Sequence, residues 1–161
     1  MAASIEARKD ESVNQAVQER TASKAALRAA RIALAAVFVV NVQCAVQFVL
    51  WPDAFAPAYE LAGFEGRIAM QGLGVAFLMW NATYPLAIAN PVKHRALFGV
   101  VLAQQAIGLI GESAILASIP AGHELLASSI LRFVAFDGAG LIAMALAFVA
   151  LSVSLKRRKA A

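Results

Sequence analysis

The sequence predicts an all-α membrane protein: a four-transmembrane-helix bundle with both termini cytoplasmic, a short outer interfacial segment and a helical N-terminal extension. Three observations carry this expectation. Of 161 residues, 61% are hydrophobic and 15% charged. The mean hydropathy is +0.70, an apolar excess that a water-soluble core does not absorb. The apolar residues also form four continuous runs instead of alternating with period two, which selects helices over a barrel. Finally, the basic residues cluster on one side of those runs.

The first span is expected at residues 32–51, without a charge, and the second at 68–89, also uncharged. The third, 96–119, holds Glu112, and the fourth, 133–155, holds Asp137. At ~1.5 Å per residue each run crosses the ~30 Å hydrocarbon layer. Trp51-Pro52, Pro85, Asn90-Pro91 and Pro120-Ala121-Gly122 mark the breaks, because proline removes a donor and restricts the residue before it. Residues 1–31 read as a cytoplasmic basic arm, 32–155 as the membrane domain and 156–161 as a basic tail. The outer connection, 52–66, carries Phe55, Tyr59, Leu61 and Phe64 and reads as a cap at the membrane surface.

Twelve of the 14 Lys and Arg residues sit in the arm, the Lys93–Arg95 turn or the tail. The positive-inside rule therefore places both termini in the cytoplasm, at a bacterial-type plasma (inner) membrane, and an even number of spans agrees in putting both termini on one side. The net charge of +4 is explained by this flanking, so nucleic acid is not an expected partner. The partners expected are the bilayer, a small amphipathic ligand, and further copies of the chain or a larger membrane complex. Ala135, Ala139, Ala143 and Ala147 form a small-residue stripe suited to close helix packing.

The chemistry available is narrow. Cys44 is the lone cysteine, so there is no disulfide and no redox pair. His94 and His123 lie in connections, with no second His at i+3 or i+4, which gives no metal site and no axial haem pair. No cofactor is identifiable. Asp137 has no Ser, Cys or His close in sequence to form a nucleophile and base, so the balance is against an enzyme.

Charges within spans are costly and therefore informative. Glu112, Asp137, Arg67 and Arg132 all fall toward the same leaflet, and the expectation is that at least one acid pairs with one of the arginines. Arg67, Gln71, Gly74, Asn81 and Pro85 share a face of the second span, Gln105, Gly108 and Glu112 a face of the third, and Asp137, Gly140 and Met144 a face of the fourth. Gln43 and Gln47 are one turn apart on the first, with Asn41 off that face. Turned inward, these stripes give a polar cavity open to the outside, with His123 at its mouth. Its uses would be to bind an amphipathic molecule or to support a larger complex. The alternatives are a proton-coupled transporter working through Glu112 or Asp137, and a quinone-linked redox subunit or membrane enzyme.

Leu50-Trp51-Pro52 opening an aromatic outer segment, Arg67 leading a glycine-containing second span, and the basic turn Asn90-Pro91-Val92-Lys93-His94-Arg95 together resemble the DoxX-like group of small bacterial membrane proteins. The resemblance implies a four-helix bundle over residues 32–155. It does not extend to the N-terminal arm, and it implies roles as varied as quinone-linked redox subunits and assembly factors.

Overall fold

A computed structural model describes residues 23–159, with side chains through Lys156. Its described residues are helical with no strand. Helix α1 spans Lys24–Leu50. A cap follows, made of α2, Pro52–Phe55, and a 3₁₀ turn, Ala56–Tyr59. Then come α3, Gly63–Asn81, and α4, Tyr84–Ala89. The chain closes with α5, Arg95–Ser118, and α6, Glu124–Lys159. Four segments are long and apolar enough to cross a membrane: Lys24–Leu50, Gly63–Ala89, Arg95–Ser118 and Glu124–Lys156.

These helices run past the apolar stretches at several ends, because backbone hydrogen bonding continues into flanking polar residues after hydropathy falls. Lys24 to Arg31 form the first turns of α1, while the reading of residues 1–22 as a helical arm lies outside the described residues, as do 160–161. The second span is not one rod. It breaks at Ala82-Thr83, one turn of the chain before Pro85, which sits at the start of α4 where its missing N–H does no harm. The Thr83 hydroxyl lies 3.2 Å from both the Trp80 carbonyl and Gln104 Oε1, so the break is tied to α5.

The two central helices are α1 and α6, which pack on each other. Helix α3 lies along α1 and α5 along α6, while the short α4 reaches both α1 and α5. Lipid offers no hydrophobic drive for helices to associate, so close packing and polar contacts must hold the bundle. Gly74 shows the first device: a Cβ there would stand 2.8 Å from the Ala45 carbonyl oxygen. Outside, Ile32, Met79, Ile110 and Leu146 are largely exposed, a surface suited to acyl chains. Of the alanine stripe on α6, Ala135, Ala139 and Ala143 face outward and Ala147 is buried.

The interior differs between its two ends. Away from the cap it is apolar: Leu34, Val37, Phe98, Val101, Met144 and Leu151 close around Tyr84. That end is laced by polar contacts at its rim. Arg31 donates to the Ala89 carbonyl at 2.8 Å, at the C-terminus of α4. Arg95 donates to the Ser152 hydroxyl at 2.7 Å and lies over the Phe148 ring. Toward the cap the interior opens. Phe48 stands at the centre of an aromatic group, within ring-contact distance of Phe55, Tyr59, Phe77 and Phe133.

Candidate functional site

Two adjoining spaces occupy the cap half. The smaller is a polar chamber of about 30 Å³. Asn41 of α1, Trp80 and Asn81 of α3, Gln105 and Glu112 of α5, and Asp137 of α6 line it, with Phe77 and Phe133. The larger is a cleft of about 350 Å³ between α1 and α6, roofed by the cap. Its walls are mainly aromatic and include Phe48, Phe55, Phe133 and Phe136. Arg132, Tyr59, Asn41 and Cys44 are its polar members. Asn41 and Phe133 belong to both walls.

A fixed hydrogen-bond chain organises the chamber. The Tyr84 hydroxyl donates to Gln105 Oε1 at 3.3 Å, and Gln105 Nε2 donates to Asp137 Oδ1 at 2.7 Å. The two bonds set which way the Gln105 amide faces. Gly108 is required beside them: a Cβ there would lie 2.7 Å from Asp137 Oδ2 and 3.3 Å from the Trp80 ring. Three buried polar atoms have no hydrogen-bond partner among the described residues: Trp80 Nε1, Asn81 Oδ1 and Glu112 Oε2. All three residues line the chamber. Among the described residues no group of three or more metal-ligating side chains forms.

The expected acid–arginine pairs do not form. Arg67 instead meets Asp53 of the cap at 3.7 Å, with both side chains largely in the open. Arg132 donates to the Ser129 hydroxyl at 2.9 Å and lines the aromatic cleft. An arginine at a helix end reaches the interface at low cost, and Asp53 offers Arg67 a partner there. Gln71 also leaves the proposed cluster, donating to the Val49 carbonyl at 3.2 Å. Gln47 is half-buried on α1 and is not part of the chamber wall.

His123 is not among the residues that line the chamber or the cleft; it is part of a latch. Its Nδ1 pairs with Glu60 Oε2, and Glu60 Oε1 accepts the Leu126 N–H at 3.3 Å, near the start of α6 where backbone donors are free. The Ser129 hydroxyl donates to the Ala58 carbonyl at 2.6 Å. Together these clip the cap onto α6, and they hold Glu60 in a left-handed conformation, φ 57°, which costs a non-glycine residue ~1–2 kcal/mol.

The latch is pH-dependent. The hydrogen bond with Glu60, its charge, and the nearby Glu124 hold His123 above the ordinary histidine value. The hydrogen bond with His123, aided by the Leu126 N–H, holds Glu60 below the ordinary carboxylate value. His123 therefore stabilises the closed cap fully at low pH and loses this as pH rises through its raised value. Glu60 contributes fully at higher pH and loses this as pH falls through its lowered value. Both contributions are present between the ordinary values of 4.5 and 6.5. Protection of the cap amides, their exchange rate taken relative to the intrinsic rate at each pH, should be greatest in that window and fall on either side, and Glu60→Gln should flatten the profile. Buried mainly by its neighbours, Tyr59 has its hydroxyl pushed well above the ordinary tyrosine value, so it stays a neutral donor in the cleft.

A shallower groove of about 560 Å³ at the other end is walled by alanines, Val153, Ser23 and Ser154. It offers neither a charge nor an aromatic ring to orient a ligand. Comparison with protein families, with curated proteins and with solved structures finds no match to this chain. The functional reading therefore rests on the geometry.

Proposed function

We propose that this chain is a multi-pass protein of a bacterial-type plasma membrane, with both termini cytoplasmic and the cap outside, that binds a small amphipathic molecule in the cleft beneath the cap. The observation that carries this reading is the cleft itself. Its volume, about 350 Å³, falls within the range of small-molecule sites, and apolar walls with few polar groups are their usual make-up. The aromatic walls suit the apolar body of the ligand. Arg132, with no carboxylate partner among the described residues, and Tyr59 suit its polar end at the depth of the headgroups. A role as accessory subunit of a larger complex, and a place among the DoxX-like proteins, belong to the same proposal.

Cys44 lines the cleft and reports on its occupancy. An apolar maleimide should modify Cys44 in purified protein, and dodecanoate should slow that reaction. Arg132→Gln should weaken protection ~10–100-fold, the value of a charge-assisted hydrogen bond of ~1.5–3 kcal/mol. Absence of protection by any anionic, neutral or cationic amphiphile would remove the ligand-binding reading.

A further inference from the structure

The polar chamber has a chemistry of its own, distinct from that of the cleft. Asn81 is 3% exposed, with its Oδ1 unpartnered among the described residues and its Nδ2 committed to the Phe77 carbonyl at 2.8 Å. The unpartnered atoms around the chamber are one donor, Trp80 Nε1–H, and two acceptors, Asn81 Oδ1 and Glu112 Oε2. One water molecule has the complementary set, accepting one hydrogen bond and donating two. About 30 Å³ accommodates a water and excludes an organic ligand.

The two carboxylates facing the chamber are not equivalent. Asp137 is held by Gln105 on one oxygen and confined against Gly108 on the other. Glu112 has a free buried oxygen. No lysine or arginine lines the chamber, so two charged acids there would have no compensating cation in a low-dielectric interior. The titratable groups that act on Glu112 are Asp137 on α6 and Tyr59 of the cap. α1 and α3 present no charged group to the chamber: Asn41, Phe77, Trp80 and Asn81 are their contribution.

We propose that the chamber is a proton-binding site in which one water bridges Trp80, Asn81 and Glu112, and Glu112 exchanges its proton with the cap side alone. A hydronium ion reaching the chamber gives its proton to the Glu112 carboxylate, leaving a neutral carboxylic acid and a water; release is the reverse. Access follows from the shared wall: Asn41 and Phe133 border both the chamber and the cleft. In the other direction Tyr84, Phe98, Val101 and Met144 are fully buried in the apolar cluster that seals the far half. The site accordingly takes up a proton without passing it through the protein.

Infrared difference spectroscopy of the full chain in proteoliposomes, with pH changed on one side at a time, tests this. The expected result is a carboxylic-acid C=O band that appears on acidifying the cap side, is unmoved by acidifying the other side, and is lost in Glu112→Gln. Trp80→Phe keeps an aromatic side chain but removes the N–H together with one ring of the indole, so in that variant the band should shift as the bridging water loses a partner. This second variant decides the matter if Glu112→Gln does not fold. No pH-dependent band, a band lost in Asp137→Asn but kept in Glu112→Gln, a response to the far side, or a band unmoved in Trp80→Phe would each overturn the proposal.

Discussion

Gly74→Ala is expected to lower the melting temperature sharply, while Gly72→Ala, two residues away, is not. A Cβ at Gly74 meets the Ala45 carbonyl oxygen and Val49 Cγ2 at 2.8 Å, and Phe48 Cβ at 3.0 Å. The first of these is backbone and cannot turn aside, so α1 and α3 must move apart along the contact that joins them. Overpacking of this kind costs ~1–3 kcal/mol, or a fall of several degrees at ~2–4 °C per kcal/mol for a chain of this size. At Gly72 nothing lies within 4 Å of the added carbon, and alanine there gains up to ~1 kcal/mol of helix propensity. Thermal unfolding of the two variants in the same detergent gives the comparison. Equal effects would mean that α3 does not approach α1 as described.

The second large effect is expected at Gln105. Gln105→Leu conserves bulk but leaves the Tyr84 hydroxyl without its acceptor and Asp137 Oδ1 without its donor, at a site where Gln105 is 2% exposed. Each stranded buried group costs ~1–3 kcal/mol, and more for a charged one. Adding Asp137→Leu should recover part of the loss, since the stranded acceptor is then gone. Gln71→Leu serves as the control, because its single bond to the Val49 carbonyl is only partly buried. If Gln105→Leu and Gln71→Leu destabilise equally, the chain from Tyr84 to Asp137 does not hold the bundle.

The four helices were legible because nothing but lipid explains apolar runs of that length. Pro85 announced trouble in the second span, yet not that the break would fall at Ala82-Thr83, where the side chain of Thr83 engages Gln104. Glu112, Gln105 and Asp137 stood out as polar groups within apolar runs, and they meet at one chamber. Asn41 was less visible: it lies off the Gln43–Gln47 face, and the structure turns Asn41 inward while Gln43 is exposed. Asn81 shared the polar face of Arg67 and Gln71 and does reach the chamber, whereas Trp80 carried no charge to attract notice, and the rotation that brings it opposite Glu112 depends on how helices pack, which spacing within one helix does not encode. The misplaced Arg67 has the same origin. Depth along a span was readable, but the Asp53 that engages Arg67 is set by the fold of the cap; Ser129, three residues before Arg132 on the same helix, was within reach of helical spacing.

The claim that the cleft under the cap holds an amphipathic molecule is tested most directly by native mass spectrometry of the full chain, wild type beside Cys44→Phe. The phenyl group enlarges a wall of the cleft without touching the chamber, so the variant should melt as the wild type does. One amphiphile bound to the wild-type protein supplied with dodecanoate, and none bound to the variant, is the expected result. A wild-type protein that carries no amphiphile, or a variant that carries it equally well, would contradict it.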